Sequence, residues 1–319
     1  MIETHQLTKR YGPLVAVDHL DLAVERGEIF GFVGPDGSGK TTTLRMLAAI
    51  LTPSEGAAWV NGRDTVREPQ QIKEHIGYMA QGFALYGDLS VEENLAFFAD
   101  IFNVRGAERR TRIERLLRFA RLEEFRTRLA RHLSGGMQKK LGLACTLIHE
   151  PEVVYLDEPT TGVDPVSRRE FWDILRGLHL QGITILVSTP YMDEAERCSR
   201  VALFYEGRII VCDTPARIKS LVEGDLIELL PSDLRRARQV LSRLPYVLEV
   251  QTYGKLLHVF VASAVEQSAL LRQALLDEGL AVEHMRAIRP RMEDTFISLV
   301  GRQRGGAAPA AVAAPGGGR

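Results

Sequence analysis

Cysteine is scarce: three residues, Cys145, Cys198 and Cys212, form an odd and widely spaced set. That rules out a disulfide framework and offers no metal-ligand spacing. The expectation is a reduced, cytosolic chain whose thiols serve as small buried apolar groups. Net charge is missing as well. Lys and Arg number 40 against 41 Asp and Glu, a formal charge of −1, so no global field draws the chain to nucleic acid or an anionic membrane. No stretch approaches the ~18–20 apolar residues of a membrane span. The opening "MIETHQLTKRYG" lacks the apolar core of a secretory signal. Work at a membrane would then require docking on a partner that spans it. What remains is ordinary globular composition, 45% hydrophobic and 25% charged over 319 residues, enough for one large domain or two average ones.

The first 60 residues alternate in strand fashion, through "IETHQL", "LVAVDHLDLAV" and "EIFGFVG". A helix is expected from about 40 to 51, and residues 90–149 read as helical. "SVEENLAFFADIF" opens that stretch with a serine and an acidic first turn that would cap a helix. Strands return at "EVVYLD" and "ITILVS", separated by the helical "SRREFWDILRGLHL". The fold class is α/β, with a helical insertion at about 85–149. From 223 to 302 a second pattern begins, strand–helix–strand–strand–helix–strand with a closing helix, the order of a ferredoxin-like α+β domain. The Ala/Pro/Gly tail at 303–319 is expected to be disordered. Residues 105–131 carry ten Arg against four Glu, an excess of 10 − 4 = 6. A solvated helix face is the simplest reading, and the lack of interleaved aromatics argues against a nucleic-acid surface.

"GPDGSGKT", residues 34–41, matches G-x-x-x-x-G-K-[ST] and lies between a strand and a helix, where such a turn can work. Backbone N–H groups from Gly34, Pro35, Asp36, Gly37, Ser38 and Gly39 onward to Thr42 form the expected phosphate cradle, Pro35 contributing shape rather than a donor. Lys40 would reach the β- and γ-phosphates and Thr41 would ligate Mg²⁺. "VVYLDE" at 153–158 adds two carboxylates at the end of a buried strand. Asp157 is placed to join the Mg²⁺ shell and Glu158 to polarise an attacking water. "LSGGMQKK" at 133–140 is a second anion-receptive helix start. One nucleotide needs one phosphate loop, so a second such turn suggests a site shared between two chains.

With these motifs in this order, the chain resembles the ATP-binding subunit of an ABC transporter over residues 1–222. The resemblance implies that Tyr11 stacks on adenine and that Gln81 in "YMAQG" reaches Mg²⁺ and the catalytic water. It also implies that Ser134, Gly135 and Gly136 cover the partner chain's ATP and that Asp164 in "TTGVDP" lies at the dimer contact. "YGDLSVEENL", "PYMDEAER" and the ending "RPRMEDTFISLVG" are similar to the ABC-2-type exporter group. The expected cofactors are ATP and Mg²⁺. The expected partners are an ABC-2-type membrane permease, touching a groove near Gln81, and a second cassette, identical or different. No nucleic-acid partner is expected, because one uninterrupted cassette does not resemble the family's nucleic-acid branches. The implied location is cytoplasmic, peripheral on the inner face of the cell membrane. For the second domain, buttressing of the dimer is favoured over regulation or ligand binding.

Pro190 is the principal departure, since the family usually carries a histidine there that contacts the γ-phosphate and the attacking water. Proline offers no side-chain donor and no N–H. It suits the first turn of a helix, with Thr189 as the cap. Two outcomes stay open: Glu158 sustains hydrolysis with help from the Ser188 or Thr189 hydroxyl, or this chain is a slow cassette paired with an active one. Asp36, where the family more often has asparagine, is expected to face outward, and Met137 to serve in packing.

Overall fold

The central sheet is built from residues that have no choice but to be inside. Ile29–Val33, Val153–Asp157 and Thr184–Thr189 are buried at every position, the pattern of parallel strands covered on both faces. The computed structural model describes residues 1–82 and 85–304. Across the sheet the order is 208–213, 200–205, 29–33, 184–189, 153–157 and 76–79. The strand that feeds the phosphate loop, Ile29–Val33, runs parallel to both of its neighbours. Phe30, Phe32 and Phe204 pack edge-on and tilted at 5.7 and 5.0 Å beneath it, at the centre of the core. A second, antiparallel sheet orders 14–24, 2–11, 55–60 and 63–64.

The phosphate-loop helix spans Lys40–Leu47, shorter than expected, and Ala49 beyond it takes a left-handed conformation. The helical insertion resolves into Val91–Ile101, Gly106–Ala120 and Gly135–Thr146. Ser90 caps the first of these: its Oγ accepts from Glu93 N while the Glu93 carboxylate accepts from Ser90 N, a reciprocal capping box. The arginine excess of 105–131 is neutralised from outside that segment as well as within it. Arg109 pairs with Asp100, Arg112 and Arg115 with Glu150, Arg126 with Glu92, and Arg131 with Asp88. A solvated, ion-paired face results. Cys145 and Cys198 are buried and Cys212 is half-buried, all as free thiols. Burial pushes the Cys145 and Cys198 thiols far above their usual range, so both are unreactive neutral groups.

The chain divides into two compact units between Cys212 and Asp213, ahead of the boundary expected at 222. Helix Pro215–Lys219, capped by Thr214, packs on the last helix, Met292–Arg304, and so belongs to the second unit. That unit contains an antiparallel sheet ordered 247–253, 256–261, 225–231 and 282–288, with helices Leu234–Leu241 and Ala264–Asp277. This is the ferredoxin-like strand order. Gln303 and Arg304 continue the last helix, and the rest of the tail expected to be disordered lies outside the described residues.

The second unit also buries a charged cluster that composition does not announce. His258, fully buried, has Nδ1 at 2.6 Å from Asp294 and Nε2 at 3.4 Å from Glu228. Arg286 pairs with Glu228, and Tyr253 stacks on the imidazole at 5.1 Å. With both ring nitrogens facing carboxylates, the imidazolium balances the cluster's charge. Burial pulls the His258 pKa down, but hydrogen bonds and charge from Asp294 and Glu228 raise it overall. A raised pKa contributes stability that is complete below the unfolded value of about 6.5 and is lost as pH climbs through the folded value. Chemical denaturation across pH 6–9 is expected to show the gap between wild type and His258→Gln narrowing as pH rises. A constant gap would mean that folding does not raise the His258 pKa.

Candidate nucleotide site

The phosphate loop is shaped by glycines pressed against neighbouring backbone. Gly37 and Gly39 take φ of 75° and 105°, which L-side chains rarely adopt. A Cβ on Gly34 would lie 2.2 Å from the Phe204 carbonyl oxygen, and one on Gly39 2.5 Å from that of Ala16. Helix Lys40–Leu47 therefore begins at Gly39 without a side-chain cap, its positive end open to an anion. Ser38 Oγ is buried beside the loop with no partner. Lys40 Nζ donates to the Gly34 and Pro35 carbonyls, at 2.8 Å each. Burial lowers its pKa, while the Glu158, Asp36 and Asp157 carboxylates hold it up. Asp36 itself is exposed, as expected. The fit to a polyphosphate is good: open N–H groups, an unpartnered hydroxyl and an amine within one turn.

Asp157, fully buried, ends its strand at the carboxyl edge of the sheet. Its Oδ1 accepts from Thr41 Oγ1 at 2.8 Å and from Ser188 Oγ at 2.6 Å, and Tyr78 OH stands 3.4 Å from Oδ2. Glu158 follows in a left-handed conformation, φ 48°, its N–H donating to the Ser188 carbonyl at 3.1 Å. That twist directs its carboxylate elsewhere: Oε2 accepts from Gln81 Nε2 at 2.8 Å and from Thr161 Oγ1 at 3.2 Å. Two adjacent acids thus have separate partners. Thr41 and Asp157 supply hard oxygen donors beside the phosphate loop, a set suited to Mg²⁺ completed by phosphate and water. Gln81 pairs with Glu158 rather than with Thr41 and Asp157, where its expected metal role would put it. Lys139 Nζ, from the signature helix, donates to the Gln81 carbonyl at 3.2 Å.

The signature turn is held by contacts within its own chain. Ser134 caps helix Gly135–Thr146, its Oγ accepting from Met137 N at 3.3 Å. Gly135 is exposed, whereas Gly136 is buried and a Cβ there would lie 2.4 Å from Ser167 Cβ. Gly136 is thus required by packing within its own chain. Asp164 caps helix Pro165–Leu180, accepting from Val166 N and Ser167 N at 3.0 and 2.9 Å. The Ser167 hydrogen bonds hold its carboxyl below the usual range. Tyr11 is 47% exposed, with the Lys9 amine 5.4 Å from its ring centroid.

At the corner, Pro190 is not in a first helical turn. The short helix is Met192–Ala195, and Tyr191 precedes it without a side-chain cap. Thr189 Oγ1 accepts from Tyr191 N at 3.1 Å and donates to Glu194 at 2.6 Å, while Ser188 is bound to Asp157. Neither hydroxyl is free to replace a missing histidine. Tyr78 and Glu194 are the site residues that sequence reading missed, and Ser188, weighed there only as an aid to Glu158, is instead bound to Asp157. The one available signal was a Ser-Thr pair closing an otherwise apolar strand.

The family model for "ABC transporter" matches residues 17–161. A daunorubicin resistance ATP-binding protein from Streptomyces coeruleorubidus is 36% identical over 307 residues, 95% of each chain. The chain belongs to the ABC transporter ATP-binding proteins. A Nod factor export ATP-binding protein from Paraburkholderia xenovorans is 38% identical, covering 95% of this chain and 97% of that one. A probable multidrug ABC transporter ATP-binding protein from Escherichia coli K12 is 43% identical over 225 residues; the cassette spans 39% of its length. Among solved structures, a dimeric ATP-binding cassette in a post-hydrolysis state with ADP and Pi gives a TM-score of 0.61 at 28% identity, covering 67% of this chain and 98% of that one.

The two glycines of the ABC phosphate loop make separable demands. Gly37→Ala meets open space and should cost about 1 kcal/mol through its left-handed φ. It is expected to retain an ATP-induced rise in melting temperature. Gly34→Ala forces a methyl onto the Phe204 carbonyl, costs about 1–3 kcal/mol, and is expected to abolish that rise. Thermal unfolding with and without ATP decides, and equal behaviour of the two variants would contradict the geometry.

Proposed function

We propose that this chain is the ATP-hydrolysing subunit of an exporter, acting on a separate ABC-2-type membrane permease. The observation that carries the reading is the split pair of acids, Asp157 with Thr41 and Glu158 with Gln81, at the mouth of the phosphate loop. Lys40 and the loop N–H groups hold the triphosphate, and Thr41 with Asp157 holds Mg²⁺. When bound, Mg²⁺ neutralises charge on the phosphate oxygens. Glu158 orients and polarises the attacking water, and Gln81 steadies that carboxylate. Tyr11 receives the adenine. Ser134, Gly135, Gly136 and Asp164 are offered to the nucleotide of a second cassette, which closes on ATP and opens after hydrolysis.

Among the described residues no helix is long and apolar enough to cross a membrane, so the permease supplies the span. The groove of about 430 Å³ beside Gln81, lined by Met79, Gly87, Gln138, Lys139 and Gly162, is the surface proposed to receive it. The proteins named for daunorubicin resistance and Nod factor export favour export as the direction. The second unit is proposed to buttress the dimer.

A second reading gains support from the corner. With Ser188 and Thr189 already engaged, nothing on that strand end replaces a histidine at Pro190. Loss of one polar contact to a transition state costs roughly two to three orders of magnitude in rate, by analogy with oxyanion donors. Slow turnover, with a faster cassette as partner, follows from that loss. Steady-state hydrolysis tests both readings. Glu158→Gln is expected to abolish turnover while ATP still binds, and Pro190→His to raise turnover at least tenfold. If Pro190→His changes nothing, the proline corner does not limit the rate. If Glu158→Gln turns over like wild type, the proposed water-activating role is wrong.

A further inference from the structure

Glu194 is a carboxylate with no exposure and no role in the chemistry so far described. Its Oε2 accepts from Thr189 Oγ1 at 2.6 Å and its Oε1 from Thr160 Oγ1 at 2.7 Å. Arg168 Nε stands 3.7 Å from Oε1, outside hydrogen-bond range, while its guanidinium lies over the Tyr191 ring at 4.1 Å. Thr160 and Thr189 are themselves buried to within 1%. One carboxylate therefore ties together two segments that approach the nucleotide from different strands.

What those segments join to gives the clamp its meaning. The Thr189 carbonyl accepts from Gly34 N, the first residue of the phosphate loop, at 3.4 Å. The Thr160 carbonyl accepts from Val163 N at 3.1 Å, and Thr161 N donates back to the Glu158 carbonyl at 3.3 Å. Asp164 follows, its carbonyl accepting from Arg168 N at 2.9 Å. A continuous hydrogen-bonded path thus runs from the phosphate loop through Thr189, Glu194 and Thr160 to the turn that carries Glu158 and Asp164.

Burying this charge for stability alone would be a poor arrangement. A buried anion loses hydration worth several kcal/mol, and an apolar residue of similar size often does as well or better. Two neutral hydroxyls and one arginine, paired at 3.7 Å without a hydrogen bond, compensate it only in part. Its effect is geometric. The sheet already joins Glu158 N to the Ser188 carbonyl at 3.1 Å. Just beyond that contact, the carboxylate adds the side-chain link between Thr189 and Thr160 that braces the turn after Glu158. In a chain whose corner residue, Pro190, has no polar side chain, that turn has no other side-chain support from residue 190.

We propose that Glu194 is a positioning residue, clamping the Pro190 corner to the Glu158–Asp164 turn so that Glu158 is held in register with the phosphate loop. The proposal rests on the hydrolytic reading above. It requires that loosening the clamp slow the chemical step without weakening nucleotide binding.

The test is single-turnover hydrolysis of bound, labelled ATP by the full chain, which reads rates too slow for steady-state assays, together with the ATP Kd. Glu194→Gln and Thr160→Val are each expected to slow hydrolysis about tenfold while Kd stays within about twofold. The double variant should be no slower than the worse single one, since both cut the same link. Should Glu194→Gln fail to fold, Thr160→Val, which removes a single hydroxyl, still decides the matter. An unchanged rate, a Kd weakened by the same factor as the rate, or multiplied effects in the double variant would each overturn the clamp. A wild-type chain that binds ATP but never hydrolyses it would instead overturn the hydrolytic reading beneath it.

Discussion

The site is organised around a carboxylate that water cannot reach. Asp157 would be costly in the interior if unpartnered, and hydroxyls from Thr41, Ser188 and Tyr78 converge on it from three other elements. Each of those residues lies one position from the end of its element, at the carboxyl edge of the sheet. Their convergence holds the phosphate-loop helix and three parallel strands in one relation. The same contacts leave Glu158, one residue on, to turn outward through a left-handed backbone and meet Gln81. The anchored Asp157 and the left-handed turn at Glu158 together place two consecutive acids in two environments.

That separation is what makes ATP chemistry plausible for this chain in physical terms. A hydroxyl and a buried carboxylate at 2.8 Å suit a hard cation, whereas a carboxylate held by an amide and a hydroxyl suits a water molecule. At the proline corner the neighbouring hydroxyls are already engaged. Ser188 serves Asp157 and Thr189 serves Glu194, so the hydroxyls nearest to Pro190 are structural.

Much of this was legible in the sequence wherever function is encoded in local backbone geometry. The phosphate loop reads directly because its glycine spacing specifies a turn. The Ser90–Glu93 capping box reads because its partners stand three residues apart. The strand order of the second unit follows from its alternation of periods. Long-range pairing was not legible. Nothing in the local sequence singles out Glu194, and only the fold brings it to Thr160, 34 residues away. Gly136 read only as a nucleotide contact, and the further demand that Ser167 of the next helix places on its missing Cβ was not legible. The unit boundary at Cys212 was misplaced because helix Pro215–Lys219 gains its partner from Met292–Arg304, far along the chain.

The most direct test of this account is calorimetric titration of ATP into wild type, Asp157→Asn and Glu158→Gln, with and without Mg²⁺. If Thr41 and Asp157 hold the metal while Glu158 serves the water, Mg²⁺ should tighten ATP binding to wild type and to Glu158→Gln but not to Asp157→Asn. A magnesium effect that survives in Asp157→Asn and disappears in Glu158→Gln would contradict the division of labour between the two acids.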